Sequence, residues 1–158
     1  GEGTFSKAVE GAKAVTVMMW VKPAETQVQR QNLFAAFNYG AAGGFSFGIL
    51  KNKRLTYGGR SEPGDDYQNV ETRDVLRGEG QWLFLTAIVG YQHNEVQIFV
   101  DKHSMVRERT KFGSSTYKAG ENHSVSDIIG ASKNGQHAFT GHIDQVAVFK
   151  TAVSPDQL

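Results

Sequence analysis

Tyr57, Arg60, Asp65, Asp66, Tyr67 and Asn69 lie within one short tract, residues 57–69. A guanidinium offers five fixed donors, carboxylates accept, and an exposed phenol ring covers an apolar surface. Together these groups match a hydroxylated ring, whose hydroxyls both donate and accept while its C–H face needs apolar cover. Gly58–Asp66 (G-G-R-S-E-P-G-D-D) has no period and reads as an exposed loop. Loops on rigid scaffolds are common places for recognition. The same composition also suits an ordinary polar turn. Tyr39 and Tyr91, in other turn-like segments, are further candidate rings, and Tyr117 is another.

Other chemistries find less support. Glycoside cleavage by a carboxylate pair needs two acids facing one bond. Glu62, Asp65 and Asp66 sit in a Gly/Pro tract and read as solvated, and no strand carries alternating acids. Tyr117-Lys118-Ala119-Gly120 is similar to a fragment of the alginate-lyase jelly-roll motif, but the partner strands of that motif are missing. The five histidines, His93, His103, His123, His137 and His142, have no H-x-H or H-E-x-x-H spacing. No phosphate-binding glycine motif and no nucleophile elbow occur. No catalytic residue is therefore assigned. Trp20 and Trp82 lie inside apolar segments and are expected in the core. Asp144 stands in the middle of I-D-Q-V, where an acid suits a strand poorly.

The elements that would position these residues are strands. Lys13–Lys22 is apolar at nearly every position and stopped by Pro23, as in a strand buried on both faces. Asn32–Asn38, Gly44–Leu50, Arg54–Tyr57, Trp82–Val89, Glu95–Asp101, Val106–Arg109, Ser126–Ala131 and Ile143–Lys150 follow. Phe45, Phe47 and Ile49 alternate with Ser46 and Gly48, the pattern of a half-buried strand. Turn signals separate these runs, and no amphipathic helix of useful length is found. Ser154 and Pro155 suit the start of a short terminal helix. About ten short strands predict an all-β, antiparallel two-sheet β-sandwich, a jelly roll.

The bulk numbers agree. The chain has 158 residues, 39 % of them hydrophobic and 21 % charged, enough for one domain with its own core. A net charge of +1 gives no general attraction to nucleic acid or anionic membranes. No apolar run reaches the roughly 20 residues needed to cross a bilayer. Cysteine is absent, so no disulfide and no thiolate metal site forms. The chain reads as a mature protein or a piece of a longer one.

Three segments, V-T-V-M-M-W-V-K-P (15–23), G-Q-W-L-F-L-T-A (80–87) and G-H-I-D-Q-V-A-V-F-K-T-A-V-S-P-D-Q-L (141–158), occur in an order that resembles the laminin-G-like, concanavalin A-like jelly rolls. The resemblance runs from about Val15 to the end. Lys102, in V-D-K, stands where relatives often carry glycine, and either Gly1–Gly11 supply the family's first strand or the sequence begins inside the domain. The resemblance implies a non-catalytic module that binds glycans or proteins. It implies a secreted or surface location, a monomeric form, and attachment to other domains, often of glycoside-processing enzymes. It also implies that Asp144 can help bind a structural Ca²⁺ with backbone oxygens of the N-terminal region; an acid hydrogen-bonded to that segment without metal is the alternative. Two rival readings remain: an interaction or architectural module without a sugar site, and a small polysaccharide hydrolase or lyase.

Overall fold

The computed structural model describes residues 4–24, 29–37, 45–61, 65–113, 126–132 and 135–157. A short helix, α1 (Thr4–Ala8), precedes β1 (Ala14–Pro23), β2 (Gln31–Phe37), β3 (Phe45–Ile49), β4 (Leu55–Gly59) and β5 (Gln68–Glu71). There follow β6 (Leu83–Gly90), β7 (Glu95–Val100), β8 (His103–Arg109), β9 (Ser126–Ile129) and β10 (Gly141–Phe149). They form two five-stranded antiparallel sheets, in the orders β10-β1-β6-β7-β8 and β5-β4-β3-β2-β9. The fold is the all-β sandwich expected from the sequence.

Strand alternation builds the core. Val15, Val17, Met19 and Val21 of β1 and Leu85, Ala87 and Val89 of β6 point inward from the first sheet. Phe34, Phe45, Phe47, Ile49 and Leu55 meet them from the second. Phe34, Phe45, Tyr57 and Phe112 form a chain of rings with centroids 5.7, 5.5 and 5.8 Å apart. Each such pair contributes about 0.5–1.5 kcal/mol beyond area burial.

The outer side of β1 is covered too, which explains its unbroken hydrophobicity. Thr16 Oγ1 donates to the carbonyl of Thr151 at 2.7 Å and accepts from the N–H of Val153 at 3.0 Å. The C-terminal segment is thereby tied to β1. It ends in a single 3₁₀ turn, Pro155–Gln157, where Gln157 Oε1 accepts from the N–H of Ser154.

The two tryptophans correct the sequence expectation. Trp20 is 36 % and Trp82 46 % exposed. Parity is the reason: the inward residues of β1 are odd-numbered, and Leu83 and Leu85 are the inward residues that follow Trp82. Both indoles therefore belong to the outer face of the first sheet. Trp20 packs on Phe84 with centroids 5.1 Å apart, and Trp82 lies 6.3 Å from His142.

The N-terminus also departs from expectation, with a helix in place of a strand over Thr4–Ala8. Asp127 on β9 anchors it. Asp127 Oδ2 accepts from the N–H groups of Phe5 (2.6 Å) and Ser6 (3.1 Å), and Oδ1 from Ser6 Oγ (2.5 Å). Phe5 then packs edge-on against Phe34, with centroids 5.6 Å apart. At the V-D-K turn the left-handed residue is Asp101 (φ 54°), which tolerates that conformation better than most side chains. A lysine at position 102 is accommodated for that reason.

Candidate functional site

On the second sheet, inward Phe45, Phe47, Leu55, Tyr57 and Val70 force their neighbours outward. The strand register then aligns Ala35, Ser46, Gly58 and Asn69 in one row and Asn32, Gly48, Thr56 and Glu71 in the next. Two glycines at the middle of this face let neighbouring groups approach the strands closely. Tyr67, just before β5, lies over one of them: a Cβ at Gly58 would run into its ring.

The Tyr67 hydroxyl meets Ser46 Oγ at 2.5 Å. Arg30, just before β2, donates from Nη2 to the same Ser46 Oγ at 3.4 Å. The Arg60 guanidinium sits over the Tyr67 ring, 5.7 Å from its centroid, in cation–π range. Arg60 Nη1 also donates to the carbonyl of Asp65. Arg30, Ser46, Tyr67 and Arg60 thus form one continuous array. Burial raises the pKa of the Tyr67 phenol, although Ser46 and both arginines pull it down. At neutral pH the phenol stays protonated and can both donate and accept.

An unpaired acceptor lies on the same face. Asn32 Oδ1 is buried and has no hydrogen-bond partner. It lies beside Gly48, where an added Cβ would run into the backbone carbonyl of Gln31 and meet Asn32 Oδ1 at 3.3 Å. A buried carbonyl oxygen without a donor costs about 1–3 kcal/mol.

The structure divides the residues singled out in the sequence. Arg60, Tyr67 and Asn69 come together on this face, and Thr56 Oγ1 donates to Asn69 Oδ1 at 3.3 Å. Tyr67 is half-buried beneath Arg60, so it supports a guanidinium and is not an open platform for a sugar ring. Asp65 and Asp66 are exposed at its border, Asp65 contributing its carbonyl to Arg60. Tyr57 is a correction: it is 1 % exposed and belongs to the core stack, because it alternates with outward Thr56 and Gly58. Tyr91 is half-buried against the core, and burial raises its pKa as it does that of Tyr57. Tyr39, Glu62 and Tyr117 lie outside the described residues. Ser46, Arg30 and Asn32 were missed; the F-S-F-G alternation carries the signal for Ser46, whereas register alone brings the others to it.

Asp144 does not fit the calcium role implied for it. It is exposed on β10 opposite Trp20, and its Oδ1 accepts from the N–H of Gln145 at 2.8 Å. The acid that binds the N-terminal segment is Asp127. Among the described residues no three His, Asp or Glu side chains gather as a metal site, whereas Ca²⁺ takes about six to eight oxygens.

The family profile of the concanavalin A-like lectin/glucanases superfamily (Laminin_G_3) matches residues 4–158. The chain belongs to this superfamily. No curated protein matches it in sequence. Among solved structures, the Ruminococcus gnavus IT-sialidase CBM40 bound to α2,3-sialyllactose superposes with a TM-score of 0.75 at 16 % identity, covering 96 % of this chain and 84 % of that one. The NanB sialidase of Streptococcus pneumoniae gives 0.75 at 17 % identity, over 97 % of this chain and 25 % of that one. A SAP-like pentraxin from Limulus polyphemus gives 0.66 at 12 % identity, over 92 % and 68 %. At these identities the likeness is one of fold. Among the described residues no helix is long and apolar enough to cross a membrane.

Proposed function

We propose that the chain is a non-catalytic module that binds a carboxylate-bearing glycan on the outer face of the second sheet. The array Arg30–Ser46–Tyr67–Arg60 carries this reading. Its two guanidiniums can hold a carboxylate through short, charge-assisted bonds, and the serine–tyrosine hydroxyl pair reads neighbouring hydroxyls. The two-arginine chemistry agrees with the sialyllactose held by the R. gnavus CBM40, a structure of the same fold.

Absence of catalysis is part of the proposal. Asp65 and Asp66, beside Tyr67 in sequence, are exposed at the edge of the array and are not enclosed with it as a facing acid pair would be. A secreted or surface location and attachment to other domains follow from the same reading. A shallow site buries little area, so affinity falls in the millimolar-to-micromolar range, about 4 to 8 kcal/mol.

Calorimetric titration with 3′-sialyllactose tests the proposal. Wild type binds, and Arg60→Ala binds at least about tenfold more weakly, since a charged hydrogen bond contributes about 1.5–3 kcal/mol. Equal binding by folded Arg30→Ala, Arg60→Ala and wild type refutes it.

A further inference from the structure

The other sheet of the sandwich carries a cavity that none of the residues of the acidic-glycan site lines. Its volume is about 560 Å³, within the range of small-ligand sites. Met18, Trp20 and Phe84 floor it, and Ala147, Phe149 and Pro155 flank them. Asp101, Lys102 and Gln145 complete the lining with polar groups. This is the outer face of the first sheet, where parity placed Trp20. Met18 beside it is almost wholly covered, whereas the indole stays open to solvent.

Two of the three polar lining residues have an unusual backbone. Asp101 (φ 54°) and Gln145 (φ 50°) are both left-handed without being glycine. Asp101 caps the β7–β8 hairpin and holds the N–H of Phe84 through Oδ1 at 3.0 Å. Gln145 lies where the β1–β10 register slips between Met18 and Trp20, a bulge that redirects a side chain. At Asp101 the hairpin turn accounts for this conformation, and at Gln145 the bulge accompanies it.

We infer that this cavity is a second binding site, for an uncharged pyranose unit of a glycan. The indole and Phe84, tilted at 44° to each other, offer apolar cover for a C–H face. One carboxylate, one ammonium and one amide supply acceptor, donor and both, and their charges cancel. A net-neutral polar lining around an aromatic floor matches hydroxyls and does not select a charged ligand. The cavity also suits a single ligand better than a protein face, since a stable interface needs upwards of about 1,000 Å² of good contact. The inference is independent of the acidic-glycan site, which lies on the other sheet.

The test is ¹H–¹⁵N NMR of the whole chain titrated separately with lactose, maltotriose and cellotriose. At least one of these neutral sugars shifts the Trp20 indole N–H and the amides of Phe84 and Gln145. Lys102→Ala and Gln145→Gly, the latter compatible with the local φ, weaken that binding at least threefold, and Trp20→Ala at least tenfold. Arg60→Ala leaves it unchanged, which separates this site from the acidic-glycan site. No shift at these signals with any of the three sugars overturns the inference. Shifts produced by raising the protein concentration alone also overturn it, because they make the face a contact between copies.

Discussion

Ser46 and Tyr67 meet hydroxyl to hydroxyl at 2.5 Å across the outer face of the second sheet. Twenty-one residues separate them in sequence. The contact depends on Gly58, whose missing side chain lets the tyrosine ring lie flat on β4. Removing one hydroxyl isolates its worth. Tyr67→Phe keeps the ring under Arg60 and loses about 0.5–1.5 kcal/mol of stability. Binding of 3′-sialyllactose should fall roughly three- to tenfold, which calorimetry would detect. Unchanged binding would remove the phenol from the site.

Asn32→Ala distinguishes a ligand acceptor from a structural amide. Its Oδ1 has no hydrogen-bond partner, so truncation gives up no bond at that oxygen. The urea midpoint should shift by the equivalent of less than about 1 kcal/mol, and glycan affinity should stay near the wild-type value because the oxygen is shielded from solvent. A large fall in affinity at unchanged stability would bring Asn32 into the ligand site.

Asp127→Ala removes the acceptor of three N-terminal hydrogen bonds. The cost should resemble loss of a strong helix cap, about 1–2 kcal/mol. Hydrogen exchange should quicken at residues 5–9 and not in β6. Wild-type protection in α1 of the variant would show that Phe5 packing suffices to hold it.

Stability should decline in alkali. Burial is the first cause raising the pKa of Tyr57, Tyr67 and Tyr91. Above about pH 10 the phenols ionise in the unfolded chain before they do in the folded one. The unfolded state then binds fewer protons, so the contribution, complete below that pH, is lost as pH rises. Urea midpoints should fall from about pH 9 to 11, less steeply in Tyr57→Phe/Tyr91→Phe. A midpoint rising with pH would contradict the sign.

The sandwich was legible because its central strands are strongly apolar and their turns well marked. That same strength hid the outward parity of Trp20, since β1 is covered on both sides over much of its length. β5 passed unread because Gln68–Glu71 offers Val70 as its single buried residue. In the candidate site, composition found Arg60, Tyr67 and Asn69 but counted Tyr57 with them, since a tract has no inside or outside until strand register assigns one. Arg30 and Asn32 reach the face only through pairing of β2 with β3. Asp127 was overlooked because the resemblance had given its N-terminal contact to Asp144.

Paired NMR titrations that follow the Arg30 and Arg60 side-chain N–H signals test the central claim most directly. 3′-Sialyllactose and lactose differ in the carboxylated sugar that the array is proposed to hold. The guanidinium signals of both arginines should move with sialyllactose, saturate together, and stay in place with lactose. Equal responses to the two sugars, or no response to either, would contradict recognition of a glycan carboxylate at Tyr67.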